Sequence, residues 1–206
     1  MVFDCDQDRE VYLELVQENA ELCGVAVLGY CLMPNHVHWI ATPRDEDGLA
    51  EAFGRAHCRY SHYFQAKLGT TGHLWQNRFY SCVLELDHLV RAMRYVEQNP
   101  VRGGLVRRAE EYAWSSARAH VEGADRRGML DLCAWERLAP REEWREILQA
   151  VAERQEWHEL ERATSTGKPY GDEEFRRVIG LRAGRDLTLR GPGRPRRDAD
   201  AVAAKR

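Results

Sequence analysis

Two histidines one residue apart, His36 and His38, open the run HVHWIAT over residues 36–42. In an extended strand, side chains two apart point the same way, with Cα atoms ~6.5–7 Å apart. Two neutral imidazoles at that spacing can converge on one ion. They do not hold it alone, so a further ligand must come from elsewhere in the fold. The dipeptide pattern by itself is served as well by a solvent-facing strand edge that binds nothing. His57, His62, His73 and His88 have no spacing that suggests ligands.

The second residue with chemical promise is Tyr95. With 100° per residue from Leu86, the side chains of Leu86, Leu89, Val90, Met93 and Val96 share one arc, an apolar stripe. Tyr95 falls about 180° from Leu86, with His88, Arg91 and Asn99 around it. Asn99 follows Tyr95 by four residues and so neighbours it on one helix face. An aromatic ring opposite the stripe, beside an arginine and an amide, suits a reactive phenol. It also suits a tyrosine lying under a second layer or a partner subunit. A metal that polarises a phosphate oxygen makes phosphorus easier to attack and neutralises charge in the transition state. A phenol with a pKa of about 10 needs such help, or a base, to act as a nucleophile at neutral pH. A phosphotyrosine link would conserve bond energy, so that a strand can be rejoined without ATP. Asn99 can add a hard carbonyl oxygen as third ligand.

Around these residues the apolar patterning reads α-β-β-α-β-α. Residues 7–23 form an amphipathic helix stopped by Gly24. Residues 25–33 form a buried strand, Pro34-Asn35 a turn, and residues 36–42 the second strand of a hairpin. Residues 49–68 form a helix, residues 79–84 (FYSCVL) a short strand, and a helix capped by Asp87 runs to Pro100. The expected class is α+β, an antiparallel sheet with helices on one face. A further helical stretch follows around residues 141–162, then a linker at residues 165–171, one short helix in GDEEFRRVIGLRAG, and a Gly-, Pro- and Arg-rich end expected to be disordered.

The net charge of −3 conceals segregation: residues 1–51 carry net −9, residues 52–108 net +6, residues 109–175 net −7 and residues 176–206 net +7. A near-neutral whole therefore leaves room for nucleic acid on one basic face. The six cysteines form no Cys-x-x-Cys pair, which argues against a zinc ribbon or redox motif and suits reduced thiols. No apolar run approaches the ~20 residues of a membrane span, and the acidic N-terminus has no signal core. A cytoplasmic, nucleoid-associated protein is expected.

Three blocks in order, YCLMPNHVHWIATP (Tyr30–Pro43), LWQNRFYSCVL (Leu74–Leu84) and RYVEQNPVRGGLV (Arg94–Val106), resemble the REP-associated tyrosine transposases, single-tyrosine HUH enzymes related to insertion-sequence-200-like transposases. The similarity continues through Gly167–Phe175 and Gly193–Arg197. It implies a ferredoxin-like HUH core over residues 1–108, a helical extension over 109–164 and a basic DNA-binding tail over 165–206. It implies Mg²⁺ or Mn²⁺ on His36 and His38, with Asn99 at the third-ligand position, and Tyr95 as the nucleophile that forms a 5′-phosphotyrosine and leaves a 3′-hydroxyl. The implied substrate is single-stranded DNA folded into REP-like hairpins, handled by a monomer or a homodimer. The family's core opens with a basic segment and a strand before the acidic helix, whereas here the helix comes first. Either the true start lies upstream or the sheet has lost that strand, a loss expected to expose backbone groups and remove basic DNA contacts.

DNA contacts are expected from Arg78, Arg91 and Arg102, and from Trp75 if it is not simply a core anchor. Arg55, Arg59 and Lys67 suit either a phosphate track or a solvated helix face. Arg194 and Arg196, in GPGRPRR, resemble an AT-hook core that enters a narrow minor groove, or else a generic basic tail. Two other functions fit: a non-catalytic regulator that binds DNA or RNA hairpins, and a metal-dependent phosphoesterase that uses water in place of tyrosine.

Overall fold

The computed structural model describes residues 1–150 and 154–187. Helix α1 (Asp6–Leu22) leads into β1 (Val25–Leu32) and β2 (Val37–Pro43), followed by α2 (Gly48–Leu68), α3 (Leu86–Glu97) and the single turn α4 (Asn99–Arg102). Beyond a 3-10 turn at Ala109–Glu111 come α5 (Ala117–Glu122), α6 (Leu132–Glu136), α7 (Arg141–Gln149), α8 (Arg154–Thr166) and α9 (Glu173–Arg182).

β1 and β2 form a two-stranded antiparallel hairpin that pairs Tyr30 with Trp39, Cys31 with His38 and Leu32 with Val37, with an irregularity between Val27 and Gly29. The α+β class therefore holds. Because side chains alternate along a strand, β1 sends Tyr30 and Leu32 into a core with α1 and α2, and Cys31 and Met33 into a second core with α3, α7 and α8. Helices thus cover the second face as well as the first. Gly29 permits a close approach of α3: a Cβ there would collide with the Met93 thioether.

The strand expected at residues 79–84 is absent from the sheet. That segment instead makes the Leu84 bridge to Tyr170, with Glu85 N–H donating to the Tyr170 carbonyl at 2.9 Å and Tyr170 N–H to Val83 at 2.8 Å. The outer edge of β1 is taken by other segments. Leu32 N–H donates to the Trp114 carbonyl at 2.8 Å, Ser116 N–H to Tyr30 at 3.0 Å and Asp131 N–H to Val27 at 2.8 Å. No strand precedes α1 in the described residues, and these bonds cover the outer edge of β1.

Smaller boundaries differ. The cap of α3 is Glu85 instead of Asp87, and the stretch at 141–162 is two helices. The start of the expected tail is structured: Tyr170 is buried, and α9 is capped by the Asp172 carboxylate, which accepts from Phe175 N–H at 2.7 Å. α1 and α2 are tied together by fully buried Asp8, which accepts from Lys67 Nζ at 2.8 Å and Tyr63 Oη at 3.0 Å.

Candidate active site

The hairpin turn presents His36 and His38 side by side, ring centroids 4.8 Å apart. His36 lies just before β2, exposed, with Nδ1 2.7 Å from Asn35 Oδ1. His38 is half-buried, and its Nε2 is buried with no hydrogen-bond partner. Burial, then the neighbouring His36 and Arg102, lower its pKa to about 3, which keeps the ring neutral, the form that binds metal.

Across the second core, α3 brings Tyr95 against this pair. The His38 and Tyr95 rings meet edge to face at 5.6 Å. Tyr95 is 7% exposed, so it is not turned to solvent away from a buried stripe. Leu89, Met93 and Val96 of the stripe are buried, but Leu86 is 62% exposed. The layer over Tyr95 is α8, whose Leu160 and Ala163 join the same core. The Tyr95 hydroxyl donates to Glu161 Oε1 at 3.0 Å. The Arg102 guanidinium lies 4.1 Å from the Tyr95 ring centroid and 4.3 Å from that of Trp157, an arrangement that suits its planar cation. Burial raises the phenol's pKa; Arg102 opposes the rise and Glu161 adds to it.

Asn99 is 5% exposed. Its Nδ2 donates to the carbonyls of Tyr95 (2.9 Å) and Val96 (3.3 Å), and its Oδ1 accepts from Arg102 Nη2 at 2.8 Å. An amide oxygen has two lone pairs, so one remains. Among the described residues no group of three or more His, Cys, Asp or Glu side chains is placed to hold a metal. The partnerless Nε2 of neutral His38, with His36 beside it, is a donor set that suits a divalent ion.

Of the other expected residues, Arg102 belongs to this cluster, while Arg91 is exposed on α3 and Arg78 exposed in the loop before residue 79. Trp75 packs as a core anchor: it stacks on His57 at 4.4 Å and donates from Nε1 to the His57 carbonyl at 3.2 Å. Arg55, Arg59 and Lys67 each meet a carboxylate, Glu51, Glu18 and Asp8. Arg194 and Arg196 lie outside the described residues.

Sequence reasoning missed Glu161, Trp157 and the fully buried Glu97. Glu97 Oε1 is 2.6 Å from His120 Nδ1 and accepts from the Ser116 hydroxyl, while Oε2 accepts from Trp144 Nε1 at 2.8 Å. Acidic residues inside helices usually read as solvated faces, and nothing in the local pattern marked these two.

The site is thus a strand-borne histidine pair facing a helix-borne tyrosine in an α+β domain. Residues 2–99 match the family model described as "Transposase IS200 like". The motif resemblance is thereby shown over this stretch of the chain. A solved structure titled "Structure of the REP associates tyrosine transposase bound to a REP hairpin" is similar over 62% of this chain and 73% of its own, at 18% identity and a TM-score of 0.47. No curated protein matches. Among the described residues no helix is long and apolar enough to cross a membrane.

Proposed function

We propose that the chain cleaves and rejoins single-stranded, hairpin-forming DNA through a 5′-phosphotyrosine at Tyr95. The observation that carries this reading is the edge-to-face contact of Tyr95 with His38, whose buried Nε2 has no partner. His36 and His38 would hold Mg²⁺ or Mn²⁺, with Asn99 Oδ1 as the third protein ligand. The ion would polarise a phosphate oxygen and offset charge in the transition state. Arg102, against both the Tyr95 and Trp157 rings, would hold the phenol's ring and offer a positive charge to a phosphate there. The hairpin substrate is proposed from the motif resemblance, and the named structure in complex with such a hairpin accords with it. Arg78 and Arg91, both exposed, are proposed to contact the phosphate backbone. Arg194 and Arg196 of the tail are proposed to join them.

One observation favours a second reading, in which the chain only binds hairpins: Tyr95 is 7% exposed beneath α8. Incubation of a labelled hairpin oligonucleotide with protein and Mn²⁺, read on a denaturing gel, separates the two. A covalent protein–DNA band that Tyr95→Phe abolishes supports the transferase. Hairpin binding without a band supports the binder, and nicking that survives Tyr95→Phe supports a water-using phosphoesterase.

A further inference from the structure

Helix α8 does more than cover Tyr95. Trp157 and Glu161 are four residues apart and so share one helix face. Trp157 meets both the Arg102 guanidinium, 4.3 Å from its ring centroid, and, edge to face, the Tyr95 ring, while Glu161 reaches the Tyr95 hydroxyl itself. Leu160 and Ala163 anchor the helix in the core that contains Tyr95. The Glu161 side chain is 49% exposed, open to solvent on its far side, so a proton it received could leave. The charged or titratable groups facing it are Tyr95 from α3 and His158 on its own helix, with Nδ1 3.7 Å away; Arg102 of α4 stands on the Tyr95 ring.

We propose that Glu161 is the general base of the cleavage reaction, a catalytic residue supplied by α8 to the histidine–tyrosine core. The inference rests on the reading of Tyr95 as nucleophile. As the Tyr95 oxygen bonds to phosphorus, its proton passes along the existing 3.0 Å hydrogen bond to the Glu161 carboxylate. The bond from phosphorus to the 3′-oxygen breaks with its electron pair on that oxygen, which takes a proton from solvent. Rejoining runs the same path backwards: the 3′-hydroxyl loses its proton to solvent and attacks phosphorus, and protonated Glu161 returns its proton to the departing phenol. A carboxylate within hydrogen-bond reach of a nucleophile's proton meets the geometric requirement for this role. Among the described residues Glu161 is the acceptor bonded to the Tyr95 hydroxyl.

The test is Glu161→Gln, which keeps the size and an acceptor oxygen but is not a base. Its exposed position makes folding secure, and a thermal melt checks it. Single-turnover cleavage of a hairpin oligonucleotide with Mn²⁺ should slow about 100-fold or more, while hairpin Kd stays within about twofold. Glu161→Asp, which keeps a carboxylate, should recover part of the rate. Cleavage at the parent rate overturns the proposal, and faster cleavage overturns it by making Glu161 part of a cover over the tyrosine. If the parent protein forms no Tyr95-dependent adduct, the transferase reading itself fails. Labelling of Tyr95 by a fluorophosphonate, followed by mass spectrometry, then still decides this inference. Slower labelling in Glu161→Gln supports the base, and equal labelling overturns it.

Discussion

Glu97, two residues beyond Tyr95, joins α3 to three other parts of the fold, and its removal should be felt throughout the site. Replacing it by leucine leaves the Trp144 indole N–H without its 2.8 Å acceptor and His120 Nδ1 without the carboxylate at 2.6 Å. The Ser116 hydroxyl also loses a partner, but it retains the Tyr30 carbonyl at 3.2 Å. Each buried polar group left unpaired costs about 1–3 kcal/mol, and breaking one side of a buried ionic network costs about 3–5 kcal/mol. With Ser116 discounted, about 3 kcal/mol is the expected loss. For a chain of this size about 2–4 °C of Tm accompanies each kcal/mol, so Glu97→Leu should melt roughly 6–12 °C below the parent. The assay is a thermal melt followed by circular dichroism. A variant that melts within about 2 °C of the parent would refute the claim that this network holds α3 in place. Because Ser116 also bonds β1, the same variant should lower adduct formation in the folded fraction.

Asp8 sets the acid limit of the α1–α2 pair. Burial pushes its pKa up, but the Lys67 ammonium, the Asp4 and Cys5 backbone N–H groups and the Tyr63 hydroxyl outweigh it and hold it at about 2, below the ordinary 3.8. A depressed folded-state pKa gives stability that is complete above the unfolded value and lost as pH falls through the folded one. The parent should therefore lose stability between about pH 4 and pH 2, and Asp8→Asn should flatten that part of a urea-midpoint profile; an unchanged slope would contradict the assignment. Gly29→Ala places a methyl against Met93 and the Ser116 hydroxyl. Such overpacking typically costs about 1–3 kcal/mol, read as a lower urea midpoint, and an unshifted midpoint would show that α3 can retreat from β1 freely.

Local periodicity made much of the framework legible. The hairpin, α1, α2 and α3 announced themselves through strand and helix patterning, and a two-residue period placed His36 beside His38. The four-residue spacing put Asn99 on the Tyr95 turn, where Nδ2 bonds the Tyr95 carbonyl. What the pattern could not contain was contact between distant segments. Trp157 and Glu161 lie more than 60 positions beyond Tyr95, so the layer that buries the tyrosine is invisible to a helical wheel. The same limit applies to residues 79–84, whose β-rich composition suits a strand, while the pairing they make is with distant Tyr170. Leu86 shows the converse: it fits the apolar stripe, yet at the first turn of α3 nothing lies beneath it and it stays exposed.

The central claim is that Tyr95 is the nucleophile, and the most direct measurement is the position of the covalent bond. Protein incubated with a hairpin oligonucleotide and Mn²⁺ would be digested with protease and nuclease, and the nucleotide-bearing peptide sequenced by mass spectrometry. The account predicts a nucleotide joined through its 5′-phosphate to Tyr95, with a matching free 3′-hydroxyl on the released strand. A nucleotide on any other residue, or a cleaved strand with no linked peptide, would contradict it.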